Sequence, residues 1–409
     1  MESTAQYPAV LYTLIVTTVP FVFAKKNAGS PQFFLLICLV VVIAISATAN
    51  GWSGSILTLV PAFFASAIVP FVLFSKLIDT PKKHKTILFI SVLAALLMVH
   101  NGMSQKASDL GVGWAGNRLS EGTRITYLGT LGDPNDLGMF LVMMLPFAAY
   151  FMAYAKSMLK IIWFLALLAL LYGVFLTNSR GAFLGVLSLL GLWALERYGV
   201  KKSVAIALLL LPVIFVVASK FRTIDAEEES AQGRIDAWYQ GFQMLIHQPL
   251  FGVGMSNFTQ HNVLTAHNSY VLIAAELGFI GFFTWMSFIL LTFFMLYQVA
   301  FYNKSIFKKT ISDTQMASEV LSSDVLDEIL LAKSAFFSMM GFVVTAFFLS
   351  RSYTFVLYIY AGVGVSGYYR ALSVMPSLSP ITLGALFFRL LSLSFAIIVF
   401  LYIVVRVLK

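Results

Sequence analysis

Residues 220–268 read KFRTIDAEEESAQGRIDAWYQGFQMLIHQPLFGVGMSNFTQHNVLTAHN, and this polar stretch stands between long apolar runs. It carries three of the five histidines, a run of acidic residues and three Lys or Arg residues. Such a segment is too polar to cross a bilayer and too long to be a simple turn. We therefore predict that it forms a large loop that holds the chemistry, and that the flanking helices hold the loop.

The flanking sequence has the composition of a membrane protein. Hydrophobic residues make up 59% of the 409 residues and charged residues only 11%, whereas a soluble domain carries about 25% charged residues. The apolar runs are about 16 to 22 residues long, which is the length of a bilayer-spanning helix. They are continuous rather than alternating, which argues against a β-barrel. The pattern predicts an all-α polytopic membrane protein.

The apolar runs predict about 11–12 transmembrane helices. No cleavage site follows the first run, so we interpret it as a retained helix rather than a signal peptide. No internal repeat or flexible linker divides the chain, and we predict one transmembrane domain over residues 1–409, with loops at 101–136, 220–268 and 301–333. The predicted helices cover residues 8–24, 33–49, 55–74, 86–100, 137–155, 161–177, 181–195, 203–219, 269–300, 334–349, 353–369 and 385–405.

Clusters of basic residues between the apolar runs predict the orientation. Cytoplasmic loops carry an excess of Lys and Arg, and such clusters lie near residues 25, 80, 158, 200 and 306. Strict alternation then places the loops 101–136 and 220–268 on the outer side and makes 301–333 cytoplasmic. It also places Arg406 and Lys409 outside, against the rule, so either the last run does not cross completely or one segment is miscounted.

The net charge of +9 comes largely from these clusters and indicates membrane topology, not nucleic-acid binding. The single cysteine, Cys38, lies inside an apolar run, which leaves neither a disulfide framework nor a cysteine metal site. The sequence contains no GxxxxGK[ST], HExxH, CxxC or DxD string. ATP hydrolysis, zinc proteolysis and metal-dependent transfer from nucleotide sugars therefore lack support.

Arg180 lies in LTNSRGAFLG, at a turn between two apolar runs. A charge facing lipid is costly, so the side chain either extends to the interface or binds an anion at the membrane surface. The guanidinium presents five donors in a fork that suits phosphate. Asn178 and Ser179 are candidate caps of the following helix.

Arg234 lies near the start of the string GRIDAWYQGFQMLIHQPLFGVG. Residues 232–247 have the mixed pattern of a helix near the membrane surface, which Pro249 ends, and glycines then allow a tight turn. Arg234 is either a second anion-binding group or the ion-pair partner of Asp236 or of the acidic residues 227–229.

His267 precedes a long apolar run in LTAHNSYVLIAAELG, with Asn268 and Ser269 as candidate caps. Histidine can accept and return a proton near neutral pH, although a histidine at the start of a helix is often structural. His247 and His261 are alternatives for the same role. Glu276 could orient a base or pair with a buried arginine.

The 101–136 loop contains Arg118, Arg124 and the string GTLGDPNDLG. The Asp133-Pro134 pair, or Asn135 and Asp136, suits the cap and first turn of the next helix. Alternatively, Arg124 and Asn135 line the same outer site as the other arginines.

Three strings together resemble the O-antigen ligase and polymerase superfamily of bacterial envelopes: TNSRGA, GRIDAW…PLFGVG and AHNSY…AELGFIG. The GDPND string is similar to what many members show. The resemblance covers residues 120–280 and the helix count. It implies a GT-C-like membrane glycosyltransferase that takes a glycan from an undecaprenyl-diphosphate carrier on the periplasmic side of the inner membrane.

The resemblance also implies roles and partners. Arg180 and Arg234 would bind the diphosphate, and His267 would serve the acceptor hydroxyl, without a metal or other cofactor. The acceptor would be lipid A–core sugar, a growing glycan or a protein hydroxyl, so ligase, polymerase and protein O-oligosaccharyltransferase activities all remain open. Two arginines can stabilise the developing phosphate charge and an imidazole can accept the proton, and in-line attack inverts the anomeric centre.

Two other classes of protein fit the same composition. A transporter of the lipid-linked glycan also needs many helices, but transporters place charged groups at the midplane and show inverted repeats, whereas the charges here collect in outer loops. A non-catalytic scaffold predicts that Arg180, Arg234 and His267 need not converge.

Overall fold

The computed structural model describes residues 30–220, 226–302 and 323–409. Within these ranges the regular elements are helices, and two isolated bridges in the 108–133 segment are the strand-like pairings. Nine helices of the described residues are long and apolar enough to cross a membrane. The prediction of an all-α polytopic membrane protein is therefore confirmed. The predicted helix at 8–24 lies outside the described residues.

The helices are labelled in chain order, and the labels are used below. They are α1 (Pro31–Ala49), α2 (Ser53–Leu77), α3 (Pro81–Ala107), α4 (Pro134–Tyr154), α5 (Met158–Thr177), α6 (Arg180–Lys220), α7 (Ala226–His247), α8 (Phe258–His261), α9 (Ser269–Ala300), α10 (Ser323–Thr345), α11 (Phe355–Val374) and α12 (Leu383–Leu408).

Several helices extend beyond the apolar runs that predicted them. Helix α3 continues to Ala107, so the loop predicted at 101–136 begins later than residue 101. Helix α10 begins at Ser323 rather than at residue 334. Helix α7 occupies much of the stretch predicted as a loop, and its predicted core at 232–247 is confirmed. The physical reason is that hydropathy marks only the part that is apolar enough for lipid. The helix itself continues for as long as its backbone hydrogen bonds can form.

Two helical runs are broken by a glycine with positive φ. Gly199 (φ 75°, ψ 172°) divides α6 into two helices at the turn predicted between residues 195 and 203. Gly278 (φ 65°, ψ −168°) divides α9, so that residues 269–277 form a short helix of their own. Glycine adopts this conformation because it has no Cβ. The second break explains why the predicted helix 269–300 is longer than a bilayer requires.

Contacts divide the chain into two compact units. The first unit comprises residues 1–84, 233–336 and 350–409. In it α1, α11 and α12 pack against α9, and α2 packs against α11. The second unit comprises residues 85–232 and 337–349, and in it α4 packs against α5 and α6. The single domain expected over 1–409 stays a prediction.

Helix α11 gives the first unit two different polar ends. Near its start the Tyr358 hydroxyl donates to the carbonyl of Ser352 at 2.9 Å. Near its end Arg370 makes a bidentate pair with Glu328 at 2.7 and 3.0 Å and donates to the Ile78 carbonyl at 2.6 Å. A helix rises 1.5 Å per residue, so these ends are about 20 Å apart. The basic 76–84 segment therefore lies at the end of the unit opposite Ser352.

The last helix reaches the polar stretch that was predicted to lie outside. Lys409 pairs with Asp236 of α7. The Arg406 guanidinium lies 6.0 Å from the ring centroid of Tyr239, also on α7. These contacts give both basic residues of the last helix partners on α7. The side of the membrane on which they lie stays a prediction.

Candidate active site

Helix α7 places Arg234 beside the segment that leads to His267. A Cβ at Gly233 would lie 3.2 Å from Cδ1 of Leu264. One turn further on, the buried Trp238 indole N–H donates to the Ala266 carbonyl at 2.7 Å. A buried indole N–H needs such an acceptor, so this bond fixes the helix to the segment. Arg234 is half-buried within this seam.

The alternative partner proposed for Arg234 from the sequence is engaged elsewhere. The carboxylate of Asp236 pairs with Lys409. The side chains of residues 227–229, the other proposed partners, lie outside the described part of the structure.

His267 has an unusual backbone conformation. Its φ is +47°, in the left-handed region. This conformation costs a residue other than glycine roughly 1–2 kcal/mol, and it persists only where the surroundings impose it. His267 is half-buried, whereas His247 and His261 are exposed. Of these three histidines, His267 is therefore the one whose geometry is most constrained by the fold.

Asn268 confirms its predicted role as the cap of α9. Its Oδ1 accepts from the backbone N–H groups of Tyr270 at 3.0 Å and Val271 at 3.1 Å. The residue is fully buried, and its Nδ2 has no acceptor among the described residues. A cap of this kind stabilises a helix by about 1 kcal/mol and fixes the residue that follows His267.

Residues 350–353, called the 350–353 loop below, contact the same region, and the sequence did not single them out. The Ser350 hydroxyl lies 3.0 Å from the hydroxyl of Thr265. The Arg351 N–H donates to Ser269 Oγ at 2.9 Å, and the Ser352 hydroxyl donates to the Ser269 carbonyl, also at 2.9 Å. The only sequence signal is a short polar SRSY string between two apolar runs, which by itself indicates no partner.

Glu276 has a structural position different from the two that the sequence suggested. Its carboxylate accepts from the Tyr353 hydroxyl at 3.1 Å and from the backbone N–H groups of Ser256 and Phe258. Burial raises the pKa of Tyr353 well above its usual range, and the nearby carboxylate adds to the shift. The hydroxyl therefore stays protonated as a donor. Glu276 joins α9 to the turn after Gly254 and to the 350–353 loop.

The PLFGVG and AELG strings fit together backbone to backbone. The Val253 N–H donates to the Ala275 carbonyl at 3.0 Å, and the Gly254 N–H donates to the Glu276 carbonyl at 2.9 Å. A Cβ at Gly278 would lie 2.4 Å from the Leu250 carbonyl carbon, and a Cβ at Gly252 would lie 2.4 Å from the Ala275 oxygen. Only glycine allows this approach, so two sequence motifs far apart in the chain form one structural joint.

Replacement of Gly278 by alanine is expected to destabilise the protein by about 2–5 kcal/mol, because left-handed strain and overlap with the backbone of Leu250 add together. Gly199→Ala is the matched control, since Gly199 has φ +75° and open space where its Cβ would be. It carries the strain without the overlap. Thermal unfolding of the purified variants in detergent measures the difference. Equal losses in both variants would show that the joint is not closely packed.

Arg180 lies in the second unit, at the first residue of α6. The preceding Asn178 is left-handed (φ 49°, ψ 37°), and the Ser179 hydroxyl accepts from the Ala182 N–H at 3.3 Å, as a cap does. Arg180 is exposed. A guanidinium at the positive end of a helix dipole favours an anion. Within its own unit, Arg180 therefore has the setting that the anion-binding interpretation requires.

Arg124 supports the Arg180 turn. Its Nε donates to the Thr177 carbonyl at 3.0 Å and its Nη2 donates to Asn135 Oδ1 at 2.9 Å. Asp133 caps α4 by accepting from the Asn135 N–H at 2.7 Å. The aspartate is therefore a cap, and Arg124 and Asn135 are in contact. That this pair lines the same outer site as the other arginines stays a prediction. The guanidinium joins the start of α4 to the end of α5.

The comparison with known proteins bears on this region. Residues 165–286 match the family model described as O-antigen ligase. This match confirms the resemblance to the O-antigen ligase superfamily. A search of curated proteins finds no match for the chain.

The O-antigen ligase segment includes all three strings that carried the resemblance, and so it includes Arg180, Arg234 and His267. In the first unit, the part of α7 that contains Arg234 packs against the segment that precedes His267. The structure places Arg180 in the second unit, beside Arg124 and Asn135, and the approach of Arg180 to the other two stays a prediction. The described residues form a multi-pass helical membrane protein, and residues 165–286 are similar to the O-antigen ligase family.

Proposed function

We propose that this protein transfers a glycan from an undecaprenyl-diphosphate carrier to an acceptor hydroxyl on the periplasmic side of the bacterial inner membrane. The observation that carries the proposal is the O-antigen ligase match over residues 165–286, which contains both candidate anion-binding arginines and the candidate base. The seam between α7 and the 264–266 segment supports it, because it joins the part of α7 that contains Arg234 to the segment that precedes His267.

The proposed reaction is a single displacement at the anomeric carbon. The acceptor oxygen forms a bond to that carbon, the carbon–oxygen bond to the diphosphate breaks, and the electron pair goes to the diphosphate oxygen. The guanidinium groups of Arg180 and Arg234 stabilise this charge. The neutral imidazole of His267 accepts the hydroxyl proton. Attack from the face opposite the leaving group inverts the configuration.

The proposed side of the membrane follows from the two ends of the first unit. The basic 76–84 segment lies at the Arg370 end, and the 350–353 loop beside His267 lies at the other end. Basic loops face the cytoplasm, so the candidate site faces the periplasm.

Labelling of single cysteines in whole cells is expected to confirm this orientation. Val263 is 96% exposed beside the candidate site, and Thr80 is exposed in the basic segment. In a Cys38→Ser background, the Val263→Cys variant should react with a membrane-impermeant maleimide, and the Thr80→Cys variant should react only after permeabilisation. The reverse pattern would contradict a periplasmic site.

The function itself is tested with purified protein in detergent and a labelled diphosphate-linked glycan. Separate reactions contain lipid A–core, a second glycan or a protein with Ser/Thr hydroxyls as the acceptor, with and without EDTA. We expect transfer to one acceptor class, insensitive to EDTA, and the acceptor distinguishes ligase, polymerase and protein glycosylation. If no acceptor receives the glycan, and the protein in vesicles instead moves the lipid-linked glycan across the vesicle membrane, the result would favour the transporter.

A further inference from the structure

The left-handed backbone of His267 requires support from outside its own segment. An unrestrained histidine favours the β or right-handed α region, and φ +47° costs roughly 1–2 kcal/mol. The cap at Asn268 fixes the residue on one side only. Other contacts must therefore hold the turn.

One such contact is the Trp238–Ala266 bond from α7, and the 350–353 loop adds contacts on both sides of the histidine. Two residues before His267, the Thr265 hydroxyl pairs with that of Ser350 at 3.0 Å. Two residues after it, Ser269 accepts from the Arg351 N–H through its hydroxyl and from the Ser352 hydroxyl through its carbonyl, both at 2.9 Å. The turn is thus fixed at both of its ends to one short loop.

The 350–353 loop is itself anchored in the core of the first unit. The Ser352 carbonyl accepts from the Trp285 indole N–H at 3.1 Å and from the Tyr358 hydroxyl at 2.9 Å. Ser352, Trp285 and Tyr358 are fully buried. Tyr353 adds a bond to Glu276 at 3.1 Å. The loop can therefore transmit the rigidity of α9 and α11 to the His267 turn.

We propose that the 350–353 loop positions His267 for proton transfer, with Ser352 as the principal positioning residue. The inference rests on the proposed function, in which the imidazole accepts the proton of an acceptor hydroxyl. Proton transfer requires the ring nitrogen within hydrogen-bond reach of that hydroxyl. A displacement of about 1 Å in such a geometry can lower the rate by about 10²-fold. Loss of the Ser352 hydroxyl removes one of the bonds that define the turn.

The test compares Ser352→Ala with Ser334→Ala. Ser334 is a buried serine of the same unit, and among the described residues its hydroxyl bonds to the Leu331 carbonyl of its own helix. Full-length variants are assayed for transfer with the acceptor class identified above. For Ser352→Ala we expect kcat to fall about 10- to 100-fold with little change in the KM for the donor. Ser334→Ala should retain nearly normal kinetics.

A second pair separates the hydroxyl from the shape of the side chain. Ser350 is half-buried, and Thr and Val are nearly identical in volume. Ser350→Thr should keep the bond to Thr265 and the rate, whereas Ser350→Val should lower kcat. Equal kcat values for the two variants would argue against the contribution of this bond.

Two measurements do not depend on transfer. Amide hydrogen exchange in residues 265–271 and the rate at which diethyl pyrocarbonate modifies His267 should both rise in Ser352→Ala and not in Ser334→Ala. Failure of the wild-type protein to transfer glycan would contradict the proposed function. The two measurements would still test whether the 350–353 loop fixes the His267 turn. Unchanged exchange and reactivity in Ser352→Ala, or losses of donor binding and melting temperature that match the loss of kcat, would overturn the positioning role.

Discussion

Replacement of His267 by asparagine is expected to lower glycan transfer by about 10²- to 10⁴-fold, the usual contribution of a general base. Donor binding should stay nearly normal, because the imidazole acts on the proton of the acceptor and not on the diphosphate. Asparagine is the preferred substitution since it tolerates the left-handed backbone found at this residue (φ +47°). Alanine removes the same imidazole but adds backbone strain.

The measurements are the transfer rate, the dissociation constant of the labelled donor and the melting temperature. His247→Ala and His261→Ala are the controls, because both histidines are exposed and neither has a strained backbone. Both controls should keep most of the activity. An inactive His261→Ala variant together with an active His267→Asn variant would move the proton acceptor elsewhere in the 220–268 stretch.

Arg180→Lys is expected to weaken donor binding and to lower turnover by about 10²- to 10³-fold, the range for loss of one preorganised donor at a developing charge. The positive charge remains, but the bidentate fork that suits a phosphate is lost. Arg180 begins α6 and is exposed, so its substitution has little effect on packing. The melting temperature should therefore not change.

Arg197→Lys provides the matched control for this prediction. Arg197 is also exposed and lies on the same helical run, about 25 Å further along the helix by its rise per residue. Its replacement should leave binding and turnover unchanged. If both variants behave like the wild type, the guanidinium of Arg180 has only an interfacial role, as the alternative interpretation of the sequence holds.

The sequence could predict features that depend on local composition. Bilayer-length apolar runs predicted the helices, because lipid admits few other backbone structures. The glycine-rich PLFGVG string predicted a tight turn, and Asn268 and Asp133 were predicted caps, since both depend on residues close in the chain. The helix ends were predicted less well: α3 and α10 extend into polar sequence where hydropathy gives no signal.

The partners of the candidate site residues could not be predicted in the same way. The sequence left Glu276 between a base-orienting role and an arginine pair, and the fold gave it Tyr353 and two backbone N–H groups instead. The sequence suggested Asp236 as an ion-pair partner of Arg234, whereas in the structure Asp236 pairs with Lys409 of the last helix. These contacts join residues 77 and 173 positions apart, a distance over which local patterns give no information.

By itself, the sequence determined that this is a multi-helix membrane protein with its unusual polar residues gathered near residues 180, 234 and 267. The physical reason is that transfer into lipid is decided residue by residue and turn by turn. Only the tertiary structure decided that Gly252 and Gly278 meet backbone groups of the opposite string, and that His267 is held in a left-handed turn. It alone decided that the 350–353 loop supplies bonds on both sides of that turn. Such contacts depend on how helices pack, since packing brings together hydrogen-bonding groups that no local pattern connects.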